Sequence, residues 1–249
     1  MQPHTLPLGQ RLLPKEKWPV MRASENPDFD SSKWRFIVDG LVENPLDLSW
    51  AEFQQLHQIT TTADMHCVTT WTIYDMIWGG VDLYEIINIV KPLDSAISVE
   101  FTAFDSIGYT TSIRLNSDGK LFIPKQSKQE RENRKLPLVF GGGFVPQDPD
   151  LIEHSEQIIL DQVILTTHAN GEPIRPDHGF PLRVVVPRLY AWKGAKWLTK
   201  ITFRDTQELG FWEKYGYSDT ADPEIEDRTL DVHAQQKKAQ IYRDLRKAA

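Results

Sequence analysis

Cysteine is almost missing from this chain: Cys67 is the only one in 249 residues. A lone thiol excludes an internal disulfide. With no second cysteine and no His-x-x-x-His spacing, the usual closed zinc sites are excluded as well. No run of about 18 or more apolar residues occurs, so no membrane-spanning helix is expected. The opening MQPHTLPLGQRLLPKEKWP lacks the apolar stretch of a secretory leader and has no twin arginine. Excess positive charge is lacking too. The 28 Lys and Arg face 35 Asp and Glu, for a net −7, which argues against a nucleic-acid binder but leaves room for a local basic pocket. These absences lead us to expect a cytoplasmic protein that engages neither nucleic acid nor membrane.

What is present suits a folded enzyme of one large domain or two small ones, with 40% hydrophobic and 25% charged residues. Eight tryptophans call for a sizeable core or a lined pocket. Residues 1–33, rich in Pro, Asn, Asp and Ser, read as an extended N-terminal arm. WRFIVDGLV (34–42) alternates as a strand and ends on an Asp-Gly turn. SWAEFQQL (49–56) and DLYEIINIV (82–90) each open with capping-box spacing, and the second places Leu83, Ile86, Ile87 and Val90 on one helical face. AISVEFTAF (96–104) and GYTTSIRL (108–115) form a strand pair, and LRVVVP (182–187) and KWLTKITF (196–203) are further strands. Residues 117–156 read as a solvated insertion with a charge run and a glycine triplet, and 229–249 as a polar C-terminal helix. Short strands with few helices, lacking regular alternation, give an α+β class: mixed β-rich sheets with short flanking helices, over a main domain of 34–228.

Cys67 keeps three readings open. Free cysteine is among the most buried residue types and can be inert packing. A nucleophile needs a base and an orienting partner, and His66, as a strand neighbour, points to the opposite face. A metal ligand without protein companions needs a metal that brings its own other ligands, and a soft thiolate suits such a centre. Further along, Asn170-Gly171 and Pro176-Asp177-His178-Gly179 are turn signals. They put His178 at a loop tip, Arg183 near a strand's start, and Gly194 and Lys196 at the entrance of the next strand. Imidazole, guanidinium, ammonium and a glycine-opened backbone are donors suited to a phosphate and a heteroaromatic edge. Ordinary turn chemistry beside a strand pair is the other reading.

Taken together, DMHCVTTW (64–71), NGEPIRPDHGFPLRVVVP (170–187) and WKGAKWL (192–198) resemble the molybdopterin domain of the sulfite oxidase superfamily. The resemblance is nearest to its small bacterial sulfite oxidase-like oxidoreductases, of which GFWEKYGYSDTADPEIEDR (210–228) is also characteristic. It implies the molybdopterin-domain fold and a molybdenum–molybdopterin cofactor, with Cys67 as the protein thiolate ligand. It implies that His178 and Arg183 contact the pterin and its phosphate, and that Gly194, Ala195 and Lys196 close over the cofactor. Thr102 and, in the arm, Arg22 match further cofactor-contacting positions, and His66 either faces the cofactor or supports the loop. Trp71, Trp78, Trp192 and Trp197 are candidates to wall the centre from water, with plain core packing as the alternative.

The sequence departs from the family in informative places. The arginine that follows the ligand cysteine in sulfite oxidases is absent here, where Val68-Thr69-Thr70-Trp71 follows. The tyrosine expected before the Asn-Gly turn is replaced by Thr167, with His168 beside it. The glutamate of the methionine-sulfoxide reductase branch is Thr69 here. An anionic sulfite pocket is therefore poorly supported. The expected activity is two-electron oxygen-atom transfer, with a small S- or N-oxide as substrate and Thr167 and His168 as substrate-side catalytic groups. Oxidation of a small anion is the enzyme alternative; a non-catalytic molybdopterin carrier and a redox-inert scaffold are the others. With no haem domain and no immunoglobulin-like dimerisation domain in view, a separate electron-carrying protein partner and a monomeric state are expected.

Overall fold

The computed structural model describes residues 6–7, 9–21, 23–124, 157–215, 217–224 and 228. Arg22, the helix expected over 229–249 and residues 125–156 of the expected insertion lie outside the described residues. The strands in chain order are β1 (Arg11–Leu12), β2 (Arg35–Gly40), β3 (Leu46–Ser49), β4 (Ile59–Cys67), β5 (Trp71–Asp82), β6 (Ser98–Ala103), β7 (Thr110–Leu115), β8 (Leu121–Ile123), β9 (Ile158–Ile159), β10 (Ile164–Ala169), β11 (Glu172–Pro173), β12 (Arg183–Val185) and β13 (Leu198–Arg204). Among the described residues three short α-helices accompany them: α1 (Trp50–Phe53), α2 (Leu83–Val90) and α3 (Phe211–Lys214). The expected β-rich architecture with short helices is therefore observed. The first part of the expected insertion differs from a solvated loop, because Leu121 and Ile123 of β8 are buried in a sheet.

The strands form two sheets. One has seven, in the order β3-β2-β13-β6-β7-β8-β9. The other has six: β1, β5, β10 and β11 run in order, with β4 paired to β5 and β12 to β10. The first sheet supplies most of the main core through the alternation that its sequence announces. Phe36 and Val38 of β2, Phe101 of β6 and Ile201 of β13 are fully buried. Helix α2 adds Leu83, Ile86, Ile87 and Val90 to the same core, each stabilising the fold by roughly 1.5–3 kcal/mol through burial.

The helix ends obey their local chemistry. Ser49 accepts from the Glu52 amide while the Glu52 carboxylate accepts from the Ser49 amide at 2.8 Å, a complete capping box for α1. At α2 the Asp82 carboxylate accepts from the Tyr84 amide instead, and Glu85 accepts from the His57 amide. The second capping box expected from spacing is thus a plain aspartate cap.

The six-stranded sheet carries the lone cysteine. Cys67 ends β4, and a tight turn closed by the Thr70 amide on the Cys67 carbonyl at 3.1 Å leads into β5. Thr70 takes the left-handed conformation that this turn demands, with φ 71°. Cys67, Trp71, Ile73, Met76, Trp78, Ile164 and Val185 form a second, smaller core cluster. The N-terminal arm docks here, β1 pairing in parallel with β5 so that Arg11 sits opposite Trp71.

Candidate active site

A cavity of about 280 Å³ opens where the β4–β5 turn, the loops around β12 and the N-terminal arm meet. Cys67, His178, Arg183, Gly194 and Lys196 all line it. Residues separated by more than a hundred positions are thereby brought to one wall. Trp71, Trp192 and Trp197 line it as well, whereas Trp78 lies outside the lining and packs edge-on against Trp18 at 5.6 Å.

The Cys67 sulfur lies 3.1 Å from the Thr69 hydroxyl. Burial pushes its thiol pKa up, while the Thr69 hydrogen bonds and the charges of Arg228 and Lys196 act the other way. Arg183 is 2% exposed, and burial lowers its pKa to about 10. Its Nη1 donates to the His178 carbonyl at 3.0 Å, but its Nε is buried without a hydrogen-bond partner. Among the described residues no carboxylate forms an ion pair with it. A buried cation left this way is costly unless an anion joins it.

His178 is held neutral. Burial, then the charges of Arg183, Arg175 and Lys196, lower its pKa to about 3. Arg175 Nη2 donates to its Nε2 at 2.6 Å, so the ring proton resides on Nδ1. The Trp18 ring stacks on the imidazole with centroids 3.7 Å apart and an interplanar angle of 12°. Lys196 Nζ donates to the carbonyls of Asp177, at 2.8 Å, and Met21, fastening the arm to the loop that carries His178. Two glycines permit this crowding. A Cβ at Gly194 would meet the Val184 carbonyl oxygen at 2.4 Å. Gly179, with φ 114°, brings its backbone close to Arg183 and Lys196.

Other residues named from the sequence lie elsewhere. His66 faces away from the larger cavity, as strand alternation requires, and lines a separate one of about 20 Å³. Its Nδ1 donates to the Thr72 hydroxyl at 2.9 Å, that hydroxyl donates to Gln10, and burial lowers its pKa to about 4. Thr102 sits in β6 opposite Lys200 and Thr110, away from the cavity. Ala195 is fully buried, and its carbonyl accepts from the Val184 amide at 2.9 Å. Thr167 and His168 lie on β10 where its pairing with β5 is irregular, and they do not line the cavity. Thr167 is buried and His168 exposed, with Oγ1 and Nδ1 2.9 Å apart. Trp18, Tyr109, Trp212 and Tyr217 are lining residues that the sequence did not single out.

The model of the oxidoreductase molybdopterin binding domain matches residues 23–119 and 152–212, which hold all five of the cysteine and donor residues on this cavity. The chain belongs to that family. This molybdopterin-binding domain is 32% identical over 207 residues to the uncharacterized oxidoreductase YuiH of Bacillus subtilis strain 168, covering 83% of each chain. It is 23% identical over 194 residues to the protein-methionine-sulfoxide reductase catalytic subunit MsrP of Campylobacter jejuni, covering 77% of this chain and 56% of that one. A nitrate reductase (NADPH) of Aspergillus niger is 26% identical over 210 residues, matching 76% of this chain but 20% of its own length. The sulfane dehydrogenase SoxCD of Paracoccus pantotrophus shares the fold, with a TM-score of 0.51 and 19% identity over 73% of this chain and 40% of that chain. The protein is therefore a molybdenum-dependent oxidoreductase of the sulfite oxidase family, and its cofactor is molybdopterin.

The residues present fit that group. A phosphate-bearing cofactor would supply an anion to the buried Arg183, whose Nε is buried without a hydrogen-bond partner. Lys196 adds positive charge at the same wall, and Gly194 lines it with bare backbone packed tightly against the Val184 carbonyl.

Proposed function

We propose that Cys67 is the protein ligand to the molybdenum of this domain, and that the enzyme transfers an oxygen atom to or from a small uncharged substrate such as an S- or N-oxide. The observation that carries this is the convergence on one cavity of a buried thiol and a buried arginine with no carboxylate. Among the described residues no three His, Cys, Asp or Glu side chains converge to hold a metal, in keeping with one that arrives with its other ligands already in place.

When bound, the cofactor supplies two-electron oxygen-atom transfer. The chain's own residues hold and shield it. Arg183 would anchor its phosphate. His178, neutral and fixed in one tautomer by Arg175, would offer hydrogen bonding to the pterin without adding charge. Lys196 keeps the arm closed over the same wall. Trp71, Trp192 and Trp212 exclude water from the space beside Cys67.

Among the described residues the cations lining the cavity are Arg183 and Lys196, both assigned to the cofactor, and the lining also includes Asp105. That balance favours an uncharged substrate over sulfite. The relative named as a methionine-sulfoxide reductase supports the direction of reduction. Its designation as a catalytic subunit supports a separate electron-carrying partner for this chain too. Thr167 and His168 take no part in this reading, because both lie outside the cavity.

Metal and pterin analysis of wild type beside Cys67→Ser tests the proposal. We expect near-stoichiometric molybdenum in wild type and a sulfur-to-metal charge-transfer band that the substitution alters. An unaltered band sinks the assignment of Cys67. Failure of sulfoxides and N-oxides to reoxidise the reduced protein favours a non-catalytic carrier.

A further inference from the structure

The turn after Cys67 contains no cation of its own, yet the fold delivers one from 160 positions further along the chain. Arg228 is buried, and its Nη1 donates to the Val68 carbonyl at 2.6 Å. Its guanidinium lies over the Tyr190 ring, 5.5 Å from the centroid. Its own carbonyl accepts from the Ser218 amide at 3.0 Å, tying it to the buried run through Tyr217 and Ser218. From the opposite end of the chain, Gln10 Nε2 donates to the Cys67 carbonyl at 3.3 Å and to the Tyr190 hydroxyl at 3.4 Å. Two successive carbonyls of the thiol-bearing turn are therefore gripped by residues near either end of the chain, with Tyr190 touching both.

We propose that Arg228 is a positioning residue of the Cys67 centre: it fixes the turn through the Val68 carbonyl, and its buried charge stabilises the reduced, more electron-rich state of the metal held at Cys67. A charge at this depth acts through a medium far less polarisable than water, so its influence on a neighbouring centre is large. Groups behind a ligand tune potentials in this way without touching substrate. Arg228 does not line the cavity, which separates this role from substrate binding. The proposal rests on Cys67 being the metal ligand.

The test compares molybdenum-loaded wild type, Arg228→Gln and Arg228→Lys by redox titration of the paramagnetic molybdenum signal, with Cys67→Ser run alongside for its absorption band. We expect Arg228→Gln to keep its metal but show a lower midpoint potential, and Arg228→Lys to restore the wild-type value. An unmoved potential in Arg228→Gln, or an equal fall in Arg228→Lys, overturns the inference. If Arg228→Gln fails to fold or load, Arg228→Met is titrated in its place: a lowered potential supports the role and an unmoved one overturns it. A charge-transfer band that ignores Cys67→Ser defeats the underlying ligand assignment instead. An altered band with an unmoved Arg228→Gln potential defeats only the role of Arg228.

Discussion

Two buried cations stand ten residues apart, Arg183 on the cavity wall and Lys193 outside its lining, and the fold treats them differently. Lys193 is 1% exposed and donates to Glu213 at 2.5 Å and to the Ser112 carbonyl at 3.0 Å. Glu213, fully buried, also accepts from the Thr111 hydroxyl at 3.2 Å. That ion pair knits together the segment bearing Trp192 and Gly194, strand β7 and helix α3. Arg183 is equally deep, yet among the described residues no carboxylate pairs with it. A charge satisfied internally is architecture. One without a carboxylate partner is held at some expense of stability, and on the proposed function the cofactor's phosphate would satisfy it.

The contrast can be broken from either side. The largest effect is expected for Lys193→Met, which strands the Glu213 carboxylate in the interior. We expect a loss of about 3–5 kcal/mol, read by chemical denaturation of the cofactor-free protein. Arg183→Met removes a charge that has no carboxylate partner among the described residues and leaves the His178 carbonyl without its donor. Denaturation of the same cofactor-free protein should show a change between zero and about 2 kcal/mol of stabilisation, while molybdenum content falls by about tenfold or more. A large destabilisation by Arg183→Met would erase the distinction between the two cations.

The smallest effect sharpens it. His178 is neutral in the folded state, its pKa lowered to about 3, and regains about 6.5 when unfolded. Below 6.5 the unfolded chain therefore binds a proton that the native one does not. Its contribution to stability is complete above about 6.5 and is lost progressively as pH falls toward 3. Melting temperatures of the cofactor-free protein at pH 7.5 and 5 should show this slope, and His178→Gln should flatten it.

Legibility of the fold in the sequence followed the kind of force involved. Local chemistry was readable: the Ser49–Glu52 capping box and the apolar face of α2 appear where the spacing puts them. Strand β2 alternates because one face meets the core, whereas β6, whose apolar residues alternate with Ser98 and Glu100, is buried on both faces. The β4–β5 hairpin was not readable as such. Its strands place polar residues such as His66 and Thr72 inside, β4 shows no steady alternation, and Asp75 interrupts β5 with a positive φ. Of the cofactor positions taken from family resemblance, His178, Arg183, Gly194 and Lys196 around β12 line the cavity, whereas Ala195 beside them does not. Thr102, fixed by a one-dimensional offset, lies in the other sheet. Trp18 and Gln10 act only through tertiary contacts, and no local pattern marks them. Arg228 was visible only as the last letter of a characteristic motif, with nothing to say that it returns to Val68.

The grip of Gln10 and Arg228 on the Cys67 turn also sets an order of events during biosynthesis. A chain emerging from the ribosome can form the α1 cap and helix α2 early, since their partners lie close in sequence. The turn that presents the thiol has one of its two clasps only after position 228 has been made. On the proposed ligation by Cys67, metal insertion into a fully held turn therefore follows synthesis of position 228, and a chain ending before it would leave the Val68 carbonyl without this clasp.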